Sequence, residues 1–298
     1  MGCSLYDLGE FQRSRIHMEE LIASYDPEKH RPLAFEHGWD LSVHARCLLA
    51  LDLSALGYPG QALTQLQEAV AFARQLNHLF SLIFGLAWGC CLHTYRRDLL
   101  ACQGFAEEGR QLSIKGGFPS FQEWFTFFLG WIRAERGEVE EGIVQMRRGL
   151  DSWRSTGHVV YFPGHLALIA DASGRCGQVE EGLALVQEAI DLVEKEGQRY
   201  WEAEVHRVKG ELLKLSSRES EVEACFRQAI EVARRQRAKT YELRATTSLG
   251  RLLQKEGRSG EARPLLSEIY GWFTEGFDTP DLKEARALLD ELGGPKER

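Results

Sequence analysis

The sequence predicts an all-α fold, a superhelical solenoid of about six helical hairpins ended by a C-terminal capping helix. Small residues recur every forty positions in three parallel ladders, and between the ladder points apolar side chains return at three- and four-residue spacings. Strand-like alternation is nowhere sustained.

The first ladder runs Ala50, Cys90, Gly130, Ala170, Gly210 and Gly250. The second runs Ala69, Gly109, Gly149, Ala189 and Ala229 before reaching Ile269, and the third runs Ala62, Cys102, Gly142, Gly182, Val222 and Ala262. Such positions mark where two antiparallel helices, and the first helix of the next repeat, touch so closely that a larger side chain would hold the backbones apart.

In chain order, residues 1–26 read as an incomplete first repeat. Gly9 precedes the turn residue Gly57 by 48 positions, and no full helix fits between Met1 and Gly9. The start therefore reads as cut through a repeat, in a fragment from the end of a longer protein or a chain that has lost its first helix. Residues 27–37, around "DPEKHRPLAF", read as a loop insertion that accounts for the extra positions. Residues 38–277 hold the hairpins. In "EEGLALVQEAIDLVEKEG", Leu183, Val186, Ile190 and Val193 form an apolar stripe, and in "EACFRQAIEVARRQ", Cys225, Phe226, Ala229, Ile230 and Ala233 do the same. Turns fall at Gly57, Arg97, Gly137, Gly177, Ser217 and Gly257, ahead of acidic residues that open several second helices. Residues 278–298 read as the capping helix and tail. Thr279 stands at the N-cap, Pro280 at the first helical position, and Leu282, Ala285, Leu288, Leu289 and Leu292 line one face. Tyr270, Trp272, Phe273 and Phe277 are expected to fill the space between the last hairpin and this cap.

Composition narrows the function. With 44% hydrophobic and 27% charged residues the chain is that of a soluble globular protein, and a net charge of -8 works against nonspecific nucleic-acid binding, which needs a basic face. Seven cysteines without a Cys-x-x-Cys pair suggest neither a disulfide framework nor a zinc knuckle, and point to a reducing, cytoplasmic location. The longest apolar window, "HLFSLIFGLAWGCCLHTY", is broken by glycine and polar residues and falls short of the roughly 18–20 apolar residues of a bilayer span. No membrane partner and no cofactor are expected.

Catalytic signatures are missing from the sequence. "KGGFPS" lacks the lysine of a P-loop, and no HExxH, EF-hand, G-x-S-x-G or dinucleotide fingerprint is present. His30, His37 and His44 are spaced by seven, but only His44 is placed well inside a helix, so no metal site is assigned. Adjacent Cys90 and Cys91 point apart on a helix and read as buried free thiols. Glu140-Glu141 and Glu180-Glu181 stand at helix starts, where carboxylates suit the helix dipole.

The ladders stand at relative offsets 0, +12 and +19, with a large apolar residue at +16 (Leu66, Met146, Val186, Phe226, Leu266). This resembles the small, small, large, small signature of the tetratricopeptide repeat, with a period of 40 in place of ~34 and without its usual proline. The phrases "LYDLGEFQRSRIHMEELIASYDP", "HGWDLSVHARCLLALDLSALGYPGQAL", "EAEVHRVKGELL", "ACFRQAIEVARRQRAKTYELRATTSL" and "IYGWFTEGFDTPDLKEARALLDEL" are similar to the C-terminal tetratricopeptide region of large bacterial signalling proteins. Those carry an adenylate or guanylate cyclase domain and an ATPase-like domain upstream. The resemblance implies a non-catalytic scaffold or sensor. Its partner would be a protein or peptide, the upstream domains of the same polypeptide, or another copy of itself; a small-molecule ligand is the alternative.

In such an array the first helices line a concave groove. Counting from each ladder point places Phe84, Tyr95, Trp124, Phe127 and Trp131 in an aromatic middle and Arg175, Arg207, Lys214, Arg244 and Arg251 toward a basic C-terminal end. The aromatics either face a ligand or pack between helices, and the cations either hold an acidic group or pair with Glu204 and Glu211. The lysine and asparagine carboxylate clamp of chaperone-binding arrays is missing, because Ala167, Arg207 and Thr247 occupy one of its positions and Asp171, Glu211 and Arg251 the other.

Overall fold

The computed structural model describes residues 2–156, 161–216 and 218–293, and the described residues are helical with no strand. Six antiparallel hairpins form its body: α4 (Leu41–Leu56) with α5 (Pro59–Leu76), α6 (Leu79–Tyr95) with α7 (Leu99–Gly116), and α8 (Pro119–Glu135) with α9 (Val139–Ser155). They continue as α10 (Phe162–Arg175) with α11 (Val179–Glu196), α12 (Glu202–Leu213) with α13 (Val222–Gln236), and α14 (Lys239–Lys255) with α15 (Ser259–Trp272). Ahead of them lie α1 (Gly2–Asp7), α2 (Phe11–Ser24) and α3 (Pro27–His37), and behind them α16 (Pro280–Leu292), packed on α14 and α15.

The ladder residues are the crossing points. All eighteen are buried. Where α8 meets α9, a Cβ on Gly130 would lie 2.8 Å from the backbone nitrogen of Met146, one on Gly142 2.7 Å from the carbonyl of Gly130, and one on Gly149 2.7 Å from the carbonyl of Glu123. Backbone there touches backbone. At Gly109 and Gly210 the space belongs instead to the rings of Phe125 and Phe226.

The expected turn residues Gly57, Arg97, Gly137, Gly177 and Gly257 all have positive φ, the left-handed conformation that ends a helix. Ser217 and the tail at 294–298 lie outside the described residues. A second set with the same period closes the hairpins on the other side, at Asn77, Gly117, Gly197 and Arg237.

One expectation is overturned at residues 27–37, which form helix α3 and not a loop. Asp26 caps it by accepting from the Glu28 amide, Pro27 occupies a first-turn position where its missing N–H costs nothing, and Gly38 ends it at φ 90. Start and stop signals were present, but Pro32 and the lack of an apolar stripe hid the helix; of its hydrophobic residues only Ala34 is fully buried.

The stack also closes on itself. Inner helices α4, α6, α8, α10, α12 and α14 touch in succession, and α14 returns to pack against α4. Thr240 Oγ1 donates to the Ser54 carbonyl at 2.5 Å, and Glu275 accepts from the amides of Gly60 and Gln61. Trp272, expected to fill space beneath the capping helix, instead lies against Tyr58 and Gly57 of the first hairpin's turn, and Phe277 is half-exposed beside Tyr270. The outer helices stand farther apart and are bridged by exposed ion pairs such as Arg74–Glu108, Arg147–Glu181, Arg154–Glu188 and Arg227–Glu261. Each such pair contributes at most about 1 kcal/mol.

Replacing Gly142 by alanine should destabilise the protein by roughly 1–3 kcal/mol, because helix backbone cannot yield to the new methyl. Gly104, with nothing within 4 Å of its would-be Cβ, is the control. There alanine should stabilise by about 0.5–1 kcal/mol, and urea denaturation of the two variants reads the contrast.

Candidate functional site

Ring closure wraps the expected groove around an interior whose centre the chain fills with its own aromatics. Tyr6 of α1 stacks on Tyr200 at 5.5 Å between ring centroids, Phe11 meets Tyr241 at 6.2 Å, and Tyr95 meets Trp201 at 5.0 Å. The Asp7 carbonyl accepts from the amides of Arg199 and Tyr200, which anchors the end of the N-terminal helix to the segment leading into α12. Two cavities remain on either side of this cluster.

The first, about 470 Å³, lies among the N-terminal halves of α4, α6 and α8. Phe80, Phe84 and Trp88 come from α6, Phe121 and Trp124 from α8, Trp39 and His44 from the start of α4, and Phe118, Trp153 and Tyr161 complete the wall. The rings hold one another. Trp88 meets Tyr161 edge-on at 4.8 Å, Trp124 meets Trp153 at 4.8 Å, and Phe80 meets Phe121 at 5.4 Å. Among the described residues no charged side chain lines it.

The second cavity, about 310 Å³, lies at the other end of the interior, among the C-terminal halves of α6, α8 and α10 together with α12, α14 and α16. It is polar. Arg97, Arg175, Arg207, Arg244 and Arg251 face Glu135, Asp171, Glu204, Glu211, Asp281 and Glu284, over a floor that includes Trp131 and Trp201. Every cation expected for a basic groove has an acidic partner: Arg175 with Glu135 at 2.6 Å, Arg207 with Glu204 at 3.1 Å, and Lys214 with Glu211 at 2.8 Å. Arg244 reaches Asp281 at 2.7 Å and Glu204 at 3.3 Å, and Arg251 reaches Glu284 at 3.8 Å. Burial alone would lower the Arg244 pKa, yet Asp281 and Glu204 outweigh it and raise the pKa, so the guanidinium stays charged. Burial would likewise raise the Glu211 pKa, but Arg207, Lys214 and Ser248 hold it below the usual range.

The ten residues singled out in sequence thus separate. Phe84 and Trp124 line the aromatic cavity, and Trp131, Arg175, Arg207, Arg244 and Arg251 line the polar one. Tyr95 lines neither, being buried against Trp201. Phe127 lines neither, being a core side chain against His165 at 4.3 Å, and Lys214 lies outside both linings. Phe80, Phe118, Phe121 and Trp153 were missed because they sit on hairpin turns and helix ends outside the counted register. The aromatic density of "GGFPSFQEWF" was their available signal. Arg97, Asp281 and Glu284 enter only through ring closure.

Among the described residues no group of three or more His, Cys, Asp or Glu is arranged to hold a metal ion. His30 Nδ1 accepts from the Asp26 amide inside α3, His44 Nε2 lies 3.0 Å from Cys3 Sγ, and the side chain of His37 is outside the described set. Cys90 and Cys91 are buried, and burial raises both thiol pKa values, so neither is a thiolate. No described helix is long and apolar enough to cross a membrane.

No family model matches the sequence. The chain is 27% identical over 249 residues to an uncharacterized protein of Rhizobium meliloti (strain 1021), an alignment covering 83% of this chain and 24% of that protein. The chain therefore spans about a quarter of that relative's length.

Burial lowers the pKa of His44, His93 and His165 from 6.5 to about 4. The unfolded chain binds these protons first, so their contribution to stability is complete above about 6.5 and is lost as pH falls toward 4. Asp7, raised by burial from 3.8 to about 6, acts in the opposite sense. Removing one histidine should make the acid loss shallower. His165→Phe should therefore lose less stability between pH 7 and 5 than the parent protein, as read from urea midpoints.

Proposed function

We propose that the chain is a non-catalytic, tetratricopeptide-like sensing module from the C-terminal part of a larger bacterial signalling protein. A small molecule or short peptide seated inside the helical ring would be reported to the domains upstream. The observation that carries this reading is the return of α14 to α4, which leaves compact, partly open pockets where a long open groove would suit an extended peptide. The size of the Rhizobium meliloti relative supports a larger parent protein, with about three-quarters of its length beyond the matched region. The reading includes no cofactor, nucleic acid or membrane, and a cytoplasmic location.

A thermal-shift screen of small molecules and short peptides against the whole chain tests it. Ligands are expected that raise the melting temperature saturably and lose at least tenfold in affinity when one cavity is obstructed, by Ser120→Trp for the aromatic one or Asp171→Trp for the polar one. No ligand answering to either obstruction would overturn the reading.

A second reading, a scaffold that contacts upstream domains or another copy of itself, is favoured by Leu100 at 78% and Val144 at 69% exposure on outer helices α7 and α9. It expects oligomers in light scattering, or capture of the upstream segments, that Leu100→Lys with Val144→Lys abolishes. A strict monomer without affinity for those segments rejects it.

A further inference from the structure

We propose that the polar cavity binds a small zwitterion, a free α-amino acid or a dipeptide with uncharged side chains, whose carboxylate takes Arg251 and whose ammonium takes Asp171. This rests on the reading of the chain as a sensing module, and it names the ligand class. Arg251 of α14 and Asp171 of α10 both line the cavity, with side chains 52% and 41% exposed. A ligand in the cavity can reach both.

The pairing within the wall singles these two out. Every other described charged side chain in the lining lies within 3.1 Å of an opposite charge. Arg251 approaches Glu284 only to 3.8 Å, and Glu284 is already engaged by Arg97 at 2.7 Å. Asp171 approaches Arg175 only to 3.6 Å, and Arg175 is already engaged by Glu135 at 2.6 Å. Neither approach is short enough for a hydrogen bond. One cation and one anion are left over in a single cavity, and a molecule with one charge of each sign meets both through charge-assisted hydrogen bonds.

A ligand with a single charge fits less well. Five arginines and six carboxylates share the lining, and Glu211 stands between Asp171 and Arg251 at the same level of the intervening helix α12. A lone carboxylate on Arg251 would face that neighbouring charge and leave Asp171 unmet. A lone ammonium on Asp171 would leave Arg251 unmet. The volume of about 310 Å³ is at the small end of the roughly 300–1,000 Å³ of ligand sites, and Trp131, Leu168, Trp201 and Val208 in the same lining offer apolar surface to an uncharged side chain.

The test is isothermal titration of the whole chain with the amino acids of uncharged side chain, taken singly, and with their glycyl dipeptides. Saturable binding at one per chain is expected. The tightest probe is then compared with its N-acetyl form, which keeps only the negative charge, and with its amide, which keeps only the positive one; each should bind at least about tenfold more weakly. Arg251→Gln should weaken the zwitterion by about tenfold and leave the amide unchanged, whereas Asp171→Asn should weaken it as much and leave the N-acetyl form unchanged. Thermal melting checks that both variants fold; if one does not, the three ligand forms on the parent protein decide. No saturable binding by any of these probes, an N-acetyl form or an amide as tight as the zwitterion, or affinity indifferent to either substitution would each overturn the proposal. A screened ligand that answers only to Ser120→Trp, or an uncharged one that answers to Asp171→Trp, would overturn it and leave the sensing function standing. Failure at both cavities would remove both.

Discussion

Closure of the inner helices is the constraint on which the rest of this molecule depends, and Arg244 is its central fastening. From α14 its guanidinium reaches Asp281 of α16, Glu204 of α12 and the carbonyl of Tyr95 at the end of α6. Three parts of the chain, separated by 37, 40 and 149 positions, meet at one side chain. A buried ion network of this kind adds little net stability over a well-packed apolar equivalent, because desolvation offsets its Coulomb energy. Its geometry is demanding, however, and it forms only when the second hairpin is in register with the last two and α16. Arg97 belongs to the same network through Glu284 and Asp281, and it holds a left-handed turn conformation that glycine takes at Gly57, Gly137, Gly177 and Gly257.

The curvature that makes closure possible begins at the small residues. Glycine and alanine at the crossings let inner and outer helices approach until backbone limits them, while neighbouring outer helices are left to long charged side chains. An array that is tight inside and spread outside must bend. Six hairpins suffice to bring α14 back to α4. The short helix α1 then adds Tyr6 to a central aromatic cluster with no room for an extended strand of peptide.

Division of the interior has a chemical result. On one side are rings without charge, and on the other are arginines and carboxylates in near balance, so a groove that reads as basic in sequence has little net charge to offer an acidic ligand. Selectivity in the polar cavity would come from exchanging existing ion pairs for new ones. In the aromatic cavity it would come from stacking on its ring-lined walls.

The helical class, the six hairpins and the crossing points were legible in the sequence because each depends on local spacing. A period of forty puts a small residue at the same place in every hairpin, and a stripe at three- and four-residue steps faces the neighbour whatever the global shape. Thr279 and Pro280 likewise announced α16. Helix α3 escaped because caps alone, without an apolar face, are weak against the interior Pro32. The candidate groove residues other than Lys214 lie on inner helices, yet which of them share a cavity was not legible. Trp124 and Trp153 meet across a hairpin, and Arg244 and Tyr95 meet across nearly half the chain. Those contacts follow from the accumulated rotation of six hairpins. A small angle at each crossing, set by side-chain packing and absent from any local pattern, decides whether the array stays open or returns to its own beginning.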